Sequence, residues 1–275
     1  MPRFGDGGVH RPLDTCVTRT YNESMNPIEF EPRFLQALEN SNRVAVLTGA
    51  GISAESGVPT FRGADGIWKK FNPIELATFE AFESNPKLVW EWYNYRRDII
   101  RKIEPNPGHY ALARLAGFYD DFNLITQNVD GLHRLAGSEN IHELHGNIKR
   151  NRCLKCGQLD YQEEFESIPP MCACGGRLRP DVVWFGELLP DGAFEAARAA
   201  ASGADLFFTI GTSGAVQPAA SLPLIAKQNG ALVVEINLEP SEISYLCDIK
   251  YHGKAGEILP QIVSRIEQLK PANRT

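Results

Sequence analysis

The run Leu47-Thr-Gly-Ala-Gly-Ile-Ser-Ala-Glu-Ser-Gly-Val-Pro-Thr-Phe-Arg-Gly63 constrains this chain more than any other feature. It follows a short apolar stretch, Arg43-Val-Ala-Val-Leu47, that reads as a buried strand. A strand entering a Gly-rich turn opens many dinucleotide sites, because glycine lets backbone N–H groups approach a pyrophosphate. Here Gly49-x-Gly51 is followed by Ala54 where the usual fingerprint has a third glycine. No helix and second strand ending in a ribose-binding acid follow about 20 residues on, as a dehydrogenase would show. The chain runs instead through Pro59-Thr-Phe-Arg-Gly63, an aromatic and a cation in a rigid turn. The pattern points to NAD bound for cleavage rather than for reduction.

At 275 residues the chain can build one large domain and a small module. A net charge of −6 argues against sequence-independent nucleic-acid binding, which needs a basic surface. The run Lys149-Arg-Asn-Arg-Cys-Leu-Lys155 reads as a solvated face around a metal knuckle. No apolar stretch reaches the ~18 residues of a membrane helix. Residues 1–25 lack the apolar segment of a secretory signal and read as a disordered extension, with Met25 an alternative start. A cytoplasmic monomer is expected, binding neither membrane nor nucleic acid.

Short Val/Ile/Leu/Phe-rich runs at 43–48, 123–126, 205–210 and 231–236 read as parallel strands buried on both faces. Helical patterns at 32–40, 86–103, 108–118, 193–202, 219–229 and 255–269 alternate with them. This predicts an α/β fold, a Rossmann-like doubly wound parallel sheet. Residues 64–105 and 146–180 interrupt the alternation and are expected to form one smaller inserted domain. The larger NAD-binding domain takes 26–63, 106–145 and 181–270, and the cleft between the two is the expected site.

The inserted domain carries Cys153-x-x-Cys156 and Cys172-x-Cys174, with 15 residues between the pairs. Gly157 and Gly175-Gly176 permit tight knuckle turns. Without a signal peptide, a zinc site is a better reading than disulfides. Four thiolates leave no open coordination position, so the metal is expected to be structural. Cys16 and Cys247 read as inert thiols.

Asn123-Leu-Ile-Thr-Gln-Asn-Val-Asp-Gly-Leu-His133 begins as a strand and ends in polar residues at its C-terminal edge, where open α/β sheets bind ligands. Gln127, Asn128 and Asp130 suit a ribose hydroxyl, a water and a carboxamide. They equally suit a polar turn with Asp130 capping the next helix. Of His133, His142 and His145, the last precedes the cysteine module at the expected hinge and could take a proton from a ribose hydroxyl. Spacing alone does not choose among the three.

Together these motifs resemble the sirtuin family of NAD-dependent protein deacylases over roughly residues 30–265. The resemblance rests on Gly49-Ala-Gly-Ile-Ser53, Gly57-Val-Pro59 with Phe61-Arg-Gly63, Thr126-Gln-Asn-Val-Asp130 and His145-Gly146. The four cysteines, Val182-Val-Trp-Phe-Gly-Glu187, Gly211-Thr-Ser213 and Ile236-Asn237 complete it. It implies a zinc ribbon and helical module on the Rossmann-like domain, with acyl-lysine protein and NAD meeting in the cleft. Gly49, Ala50, Gly51, Ile52, Ser53, Glu55, Thr60, Phe61, Arg62 and Trp68 would wrap the pyrophosphate and nicotinamide ribose. Gln127, Asn128, Val129 and Asp130 would hold nicotinamide and its ribose. Gly211, Thr212 and Ser213 would receive phosphate and the adenosine ribose. Asn237, Leu238 and Glu239 would also meet that ribose, and Ala255 the adenine. His145 would be the general base, and Cys153, Cys156, Cys172 and Cys174 the zinc ligands. The acyl oxygen would attack the ribose carbon as nicotinamide leaves, giving free lysine and O-acyl-ADP-ribose.

Val182, Val183, Trp184 and Phe185 read as a strand with an exposed edge, suited to pair with an extended substrate. Tyr93 and Arg96 are three apart and share a helix face. An arginine fork can grip a carboxylate and a tyrosine hydroxyl can add a third hydrogen bond. This pair resembles the acyl-pocket signature of the desuccinylase and demalonylase branch. Mono-ADP-ribosyl transfer and a non-catalytic NAD-sensing module are the competing readings.

Overall fold

The computed structural model describes residues 27–60 and 72–270. Helix α1 (Pro32–Asn40) starts on a proline, whose missing N–H costs nothing there, and buries Phe34 and Leu38 one turn apart. Strand β1 (Arg43–Thr48) is buried beyond its first residue and passes into the short helix α2 (Ala50–Ala54). Helices α3 (Pro73–Leu76), α4 (Phe79–Ser84) and α5 (Pro86–Ile100) follow. Thr78 accepts from the Ala81 N–H and Asn85 from the Leu88 N–H, so α4 and α5 each begin on a side-chain cap. Helix α6 (Pro107–Ala116) opens on a capping box made by Asn106 and His109.

Strand β2 (Asp121–Thr126), helix α7 (Leu132–Leu135) and strand β3 (Ile141–Glu143) lead to β4 (Gly146–Cys153), β5 (Leu159–Asp160) and β6 (Leu178–Val182). The chain then returns through α8 (Ala193–Gly203), β7 (Leu206–Ile210), α9 (Leu222–Gln228), β8 (Leu232–Asn237), β9 (Ile249–His252) and α10 (Ala255–Leu269).

Six strands form one parallel sheet in the order β3-β2-β1-β7-β8-β9. Alternate residues serve opposite faces, as the strand period of two requires. Val44, Val46, Leu124, Phe208 and Val234 pack with α1, α6 and α10, whereas Ala45, Leu47, Ile125, Phe207 and Val233 pack with α8 and α9. The fold is thus a doubly wound α/β sheet. Strand order reverses between β1 and β7, which opens a crevice at their C-terminal ends. A second, antiparallel sheet has the order β5-β4-β6. Its apolar residues share a separate core with α4 and α5, including Phe82, Trp90, Tyr93, Ile148, Leu178 and Trp184.

Strands β3 and β9 escape the sequence reading because they are short edge strands, Ile141-His-Glu143 and Ile249-Lys-Tyr-His252; the alternation of buried Ile249 and Tyr251 with exposed Lys250 and His252 in β9 runs for only four residues. The helix expected over 219–229 begins instead as a 3-10 turn and becomes α-helical at Leu222. The strand expected over 182–185 is corrected: β6 ends at Val182. The Trp184 N–H donates to the Glu187 carboxylate at 2.8 Å, and its carbonyl accepts from the Glu187 N–H at 3.1 Å. The backbone therefore turns where a strand would continue. Among the described residues no helix is long and apolar enough to cross a membrane.

Candidate active site

A cavity of about 1090 Å³ lies across the C-terminal ends of β1, β2, β7 and β8 and extends to the second sheet. Its floor is the turn after β1. Gly51 N–H donates to the Gly211 carbonyl at 2.7 Å, and a Cβ on Gly51 would stand 2.7 Å from Gly211 Cα. These glycines are thus required first for loop-on-loop packing, a contact that the fingerprint reading does not anticipate. Gly49, Ala50, Gly51 and Thr60 line this end of the cavity. Ile52 and Ser53 are buried beneath it, and Glu55 turns away to accept from the Gly256 N–H at 2.8 Å. Ala255, next to that bond, is buried and is not on the cavity wall. Phe61, Arg62 and Trp68 lie outside the described residues.

The end of β2 supplies the polar groups. Gln127 donates from Nε2 to Thr212 Oγ1 at 2.9 Å. Asn128 spends its amide hydrogens on the Gly49 carbonyl at 2.9 Å and Ser53 Oγ at 3.2 Å, which leaves its carbonyl oxygen as an acceptor. Val129 also lines the cavity. Asp130 is buried behind the wall, its Oδ1 accepting from the Leu132 N–H at 2.9 Å. Burial raises its pKa, opposed by hydrogen bonds from Leu132 and Ser53 and by the charge of Arg96. The expectation of Asp130 as N-cap is corrected: α7 starts from Gly131 in a left-handed conformation, so Asp130 is the residue before the cap, and it does not line the cavity. Across the cavity, Thr212 and Ser213 follow β7, Asn237 ends β8, and Leu238 and Glu239 follow it. Asn237 Nδ2 donates to the Thr212 carbonyl at 2.9 Å and ties the two loops together.

His145 stands between β3 and β4, where the chain leaves the large sheet for the small one. Its Nδ1 lies 2.9 Å from the Gln127 carbonyl. A carbonyl only accepts, so Nδ1 carries the hydrogen and Nε2 keeps a bare lone pair. Burial lowers its pKa, partly offset by that carbonyl. His133 instead meets Thr48 Oγ1 at 3.0 Å, beside His109, and His142 meets Asn123 Oδ1 at 2.9 Å. His145 alone of the three lines the cavity.

The far end of the cavity is walled by Trp92, Tyr93, Arg96, Val182, Val183, Trp184 and Phe185. The Arg96 guanidinium carbon lies 4.9 Å from the Trp92 ring centre and 5.5 Å from that of Tyr93. Burial lowers the Arg96 pKa, while Tyr93 and Asp130 raise it. Tyr93 OH accepts from the Trp184 indole N–H at 2.9 Å, so its own hydrogen is left to donate. The sequence reading missed the wall formed by Leu188, Leu189, Pro190, Gly192 and Phe194, and that formed by Val216 and Pro218. The Leu-Leu-Pro-Asp-Gly run at 188–192 does signal a loop in the sequence, but nothing in its composition tells which cavity it covers.

At the end of β4, Sγ of Cys153 lies 3.5 Å from that of Cys174, and Cys156 lies 3.9 Å from Cys172. All four sulfurs fall within 4.8 Å of one another. Tetrahedral zinc with bonds of about 2.3 Å spaces its sulfurs at about 3.8 Å, so the cluster fits one structural zinc ion.

The Sir2 family model matches residues 49–218. The chain is 53% identical over 233 residues to NAD-dependent protein deacylase 2 of Pyrobaculum aerophilum, covering 84% of this chain and 94% of that one. Its structure is similar to that of a Sir2 homologue point mutant in complex with ADP-ribose, with a TM-score of 0.84, 41% identity, and coverage of 90% of this chain and 100% of that chain. It is also similar to a Sir2 point mutant with deacetylated p53 peptide and 3'-O-acetyl ADP-ribose, at a TM-score of 0.75, 34% identity, and coverage of 84% and 96%.

Proposed function

This chain belongs to the Sir2 family, and from that premise we propose that its cleft removes acyl groups from protein lysine side chains, consuming NAD and releasing nicotinamide and O-acyl-ADP-ribose. NAD supplies a ribose carbon whose bond to nicotinamide breaks as the acyl oxygen bonds to it, the electron pair leaving with nicotinamide. The protein holds the two reactants together and so removes much of the entropic barrier. The glycine turn after β1 and the loops after β7 and β8 cradle the dinucleotide. Gln127 and Asn128 orient the nicotinamide end. His145 takes the ribose hydroxyl proton on Nε2 as that oxygen bonds to the acyl carbon; one water then adds to the acyl unit and the C–N bond breaks, its electron pair leaving with the lysine nitrogen, which takes up the proton. One observation carries this reading: a bare imidazole nitrogen, an amide pair and a wall of Trp92, Tyr93 and Arg96 share a single cavity.

The acyl range includes succinyl and malonyl as well as acetyl. A buried guanidinium and a tyrosine hydrogen left to donate, both on the cavity wall, suit a carboxylate-ended acyl chain. The thiolates of the zinc cluster suit a reducing compartment such as the cytoplasm. Acetyl-, malonyl- and succinyl-lysine forms of one peptide, scored by mass with and without NAD, test the reaction. Loss of the acyl mass only when NAD is present is expected; equal processing without NAD rejects it, and a gain of ADP-ribose mass on the peptide assigns transfer instead. Arg96→Met should lower kcat/KM for succinyl-lysine by roughly 30- to 1,000-fold while acting far less on acetyl-lysine. Equal losses on both would show that Arg96 does not read the acid.

A further inference from the structure

Arg179, on β6, takes no part in the chemistry above, yet all three of its guanidinium nitrogens are engaged. Nε meets the Pro180 carbonyl at 3.3 Å, and Nη2 meets the Val182 carbonyl at 2.7 Å and Glu187 Oε2 at 2.9 Å. Nη1 completes a bidentate fork on Glu187 Oε1. The guanidinium carbon lies 3.4 Å from the centre of the Trp184 ring. Glu187 Oε2 also takes the Trp184 N–H, so one carboxylate satisfies an arginine fork and a backbone amide at once. Trp184 is buried, packs on Phe82 at 5.3 Å between ring centres, and donates its indole N–H to Tyr93 OH. The same turn is pinned from behind by Val183 N–H on the His145 carbonyl at 3.0 Å and Phe185 N–H on the Ala77 carbonyl at 2.9 Å.

We propose that Arg179 and Glu187 are positioning residues for the acyl-lysine substrate. Their ion pair folds residues 183–187 into the turn that walls the acyl pocket and clamps the indole that orients Tyr93. The physical reason is geometric. A bidentate arginine–carboxylate pair fixes two planes relative to each other, which a single hydrogen bond does not. With Trp184 held against that plane, its N–H occupies one acceptor direction of Tyr93 OH and leaves the Tyr93 hydrogen for a ligand.

The inference rests on the deacylase reading, and its test separates the two. Glu187→Gln keeps the volume but puts an NH₂ group against the guanidinium, and Arg179→Lys keeps the charge but removes the fork. KM and kcat are measured for acetyl- and succinyl-lysine peptides at saturating NAD. Peptide Kd is measured separately in the presence of ADP-ribose. Binding of ADP-ribose itself serves as the folding control, and if Arg179→Lys fails it, the near-isosteric Glu187→Gln decides. We expect KM and Kd for the acetyl peptide to rise about 10-fold with kcat within about threefold, and the succinyl peptide to lose about threefold more. A merely structural defect lowers the active fraction, and so kcat, without moving KM. Peptide KM and Kd within twofold of wild type, with ADP-ribose binding intact, overturn the inference while wild-type deacylation stands. A wild-type protein that neither binds nor turns over acyl peptide overturns the reading on which it rests.

Discussion

The hydrogen on His145 is placed by the fold. Because Nδ1–H is committed to the Gln127 carbonyl, the imidazole presents Nε2 as a base without any tautomer change. Burial lowers its pKa, so the neutral, base-competent form persists to lower pH than in a free histidine, whose pKa is about 6.5. The deacylation rate should therefore stay level as pH falls from 8 to 6.5 and decline only below that; a decline centred above 6.5 would place the base elsewhere. His145→Ala should abolish turnover while ADP-ribose affinity, read by calorimetry, changes by no more than about threefold. The choice among three histidines illustrates what side-chain identity withholds. All three are imidazoles in one short stretch, and only the path of the chain decides that His133 packs beneath the site while His145 faces it.

At the scale of elements, helix α6 couples a cap to the cofactor floor. His109 Nδ1 accepts from the Asn106 N–H at 3.3 Å, and its Nε2 lies 3.4 Å from Ser53 Oγ. Burial pushes the His109 pKa down to about 4. The unfolded chain, with a histidine pKa near 6.5, binds the proton first as pH falls. This residue's contribution, on the order of 3 kcal/mol, is therefore complete above about pH 6.5 and is lost between there and about 4. His133, also pushed down by burial, acts in the same direction. The urea midpoint should fall from pH 7.5 to pH 5, and fall less steeply in His109→Gln; parallel slopes for the two proteins would discount His109. The helix was legible in the sequence over 108–118, beside its observed span Pro107–Ala116. The bond from its capping histidine to a serine on α2 was not.

On the scale of the whole molecule, the cleft depends on how one sheet is hung from the other. Gly146 makes the passage with φ +78°, and a Cβ there would sit 2.1 Å from the Asp181 carbonyl oxygen. Ion pairs cross the same junction: Arg150 joins Glu143 of β3, at 2.7 Å, to Asp181 of β6, and Arg152 adds a contact to Asp181 at 2.8 Å. Gly146→Ala combines a left-handed backbone with a backbone clash, and should cost at least ~2 kcal/mol. That corresponds to a Tm lower by roughly 4–8 °C in calorimetry, with activity lost through the adjacent His145; an unchanged Tm would show that the junction yields. Local chemistry was enough to announce four of the six parallel strands, the Gly-rich turn, the four thiolates and the Tyr93/Arg96 face, because each depends on residue type and spacing within one segment. Tertiary structure alone decided which glycine carbons touch across β1 and β7, where β6 turns at Glu187, which histidine meets the cavity, and that an arginine and a glutamate outside the chemistry brace a tryptophan. Those are contacts between segments far apart in the chain, fixed by packing rather than by any local pattern.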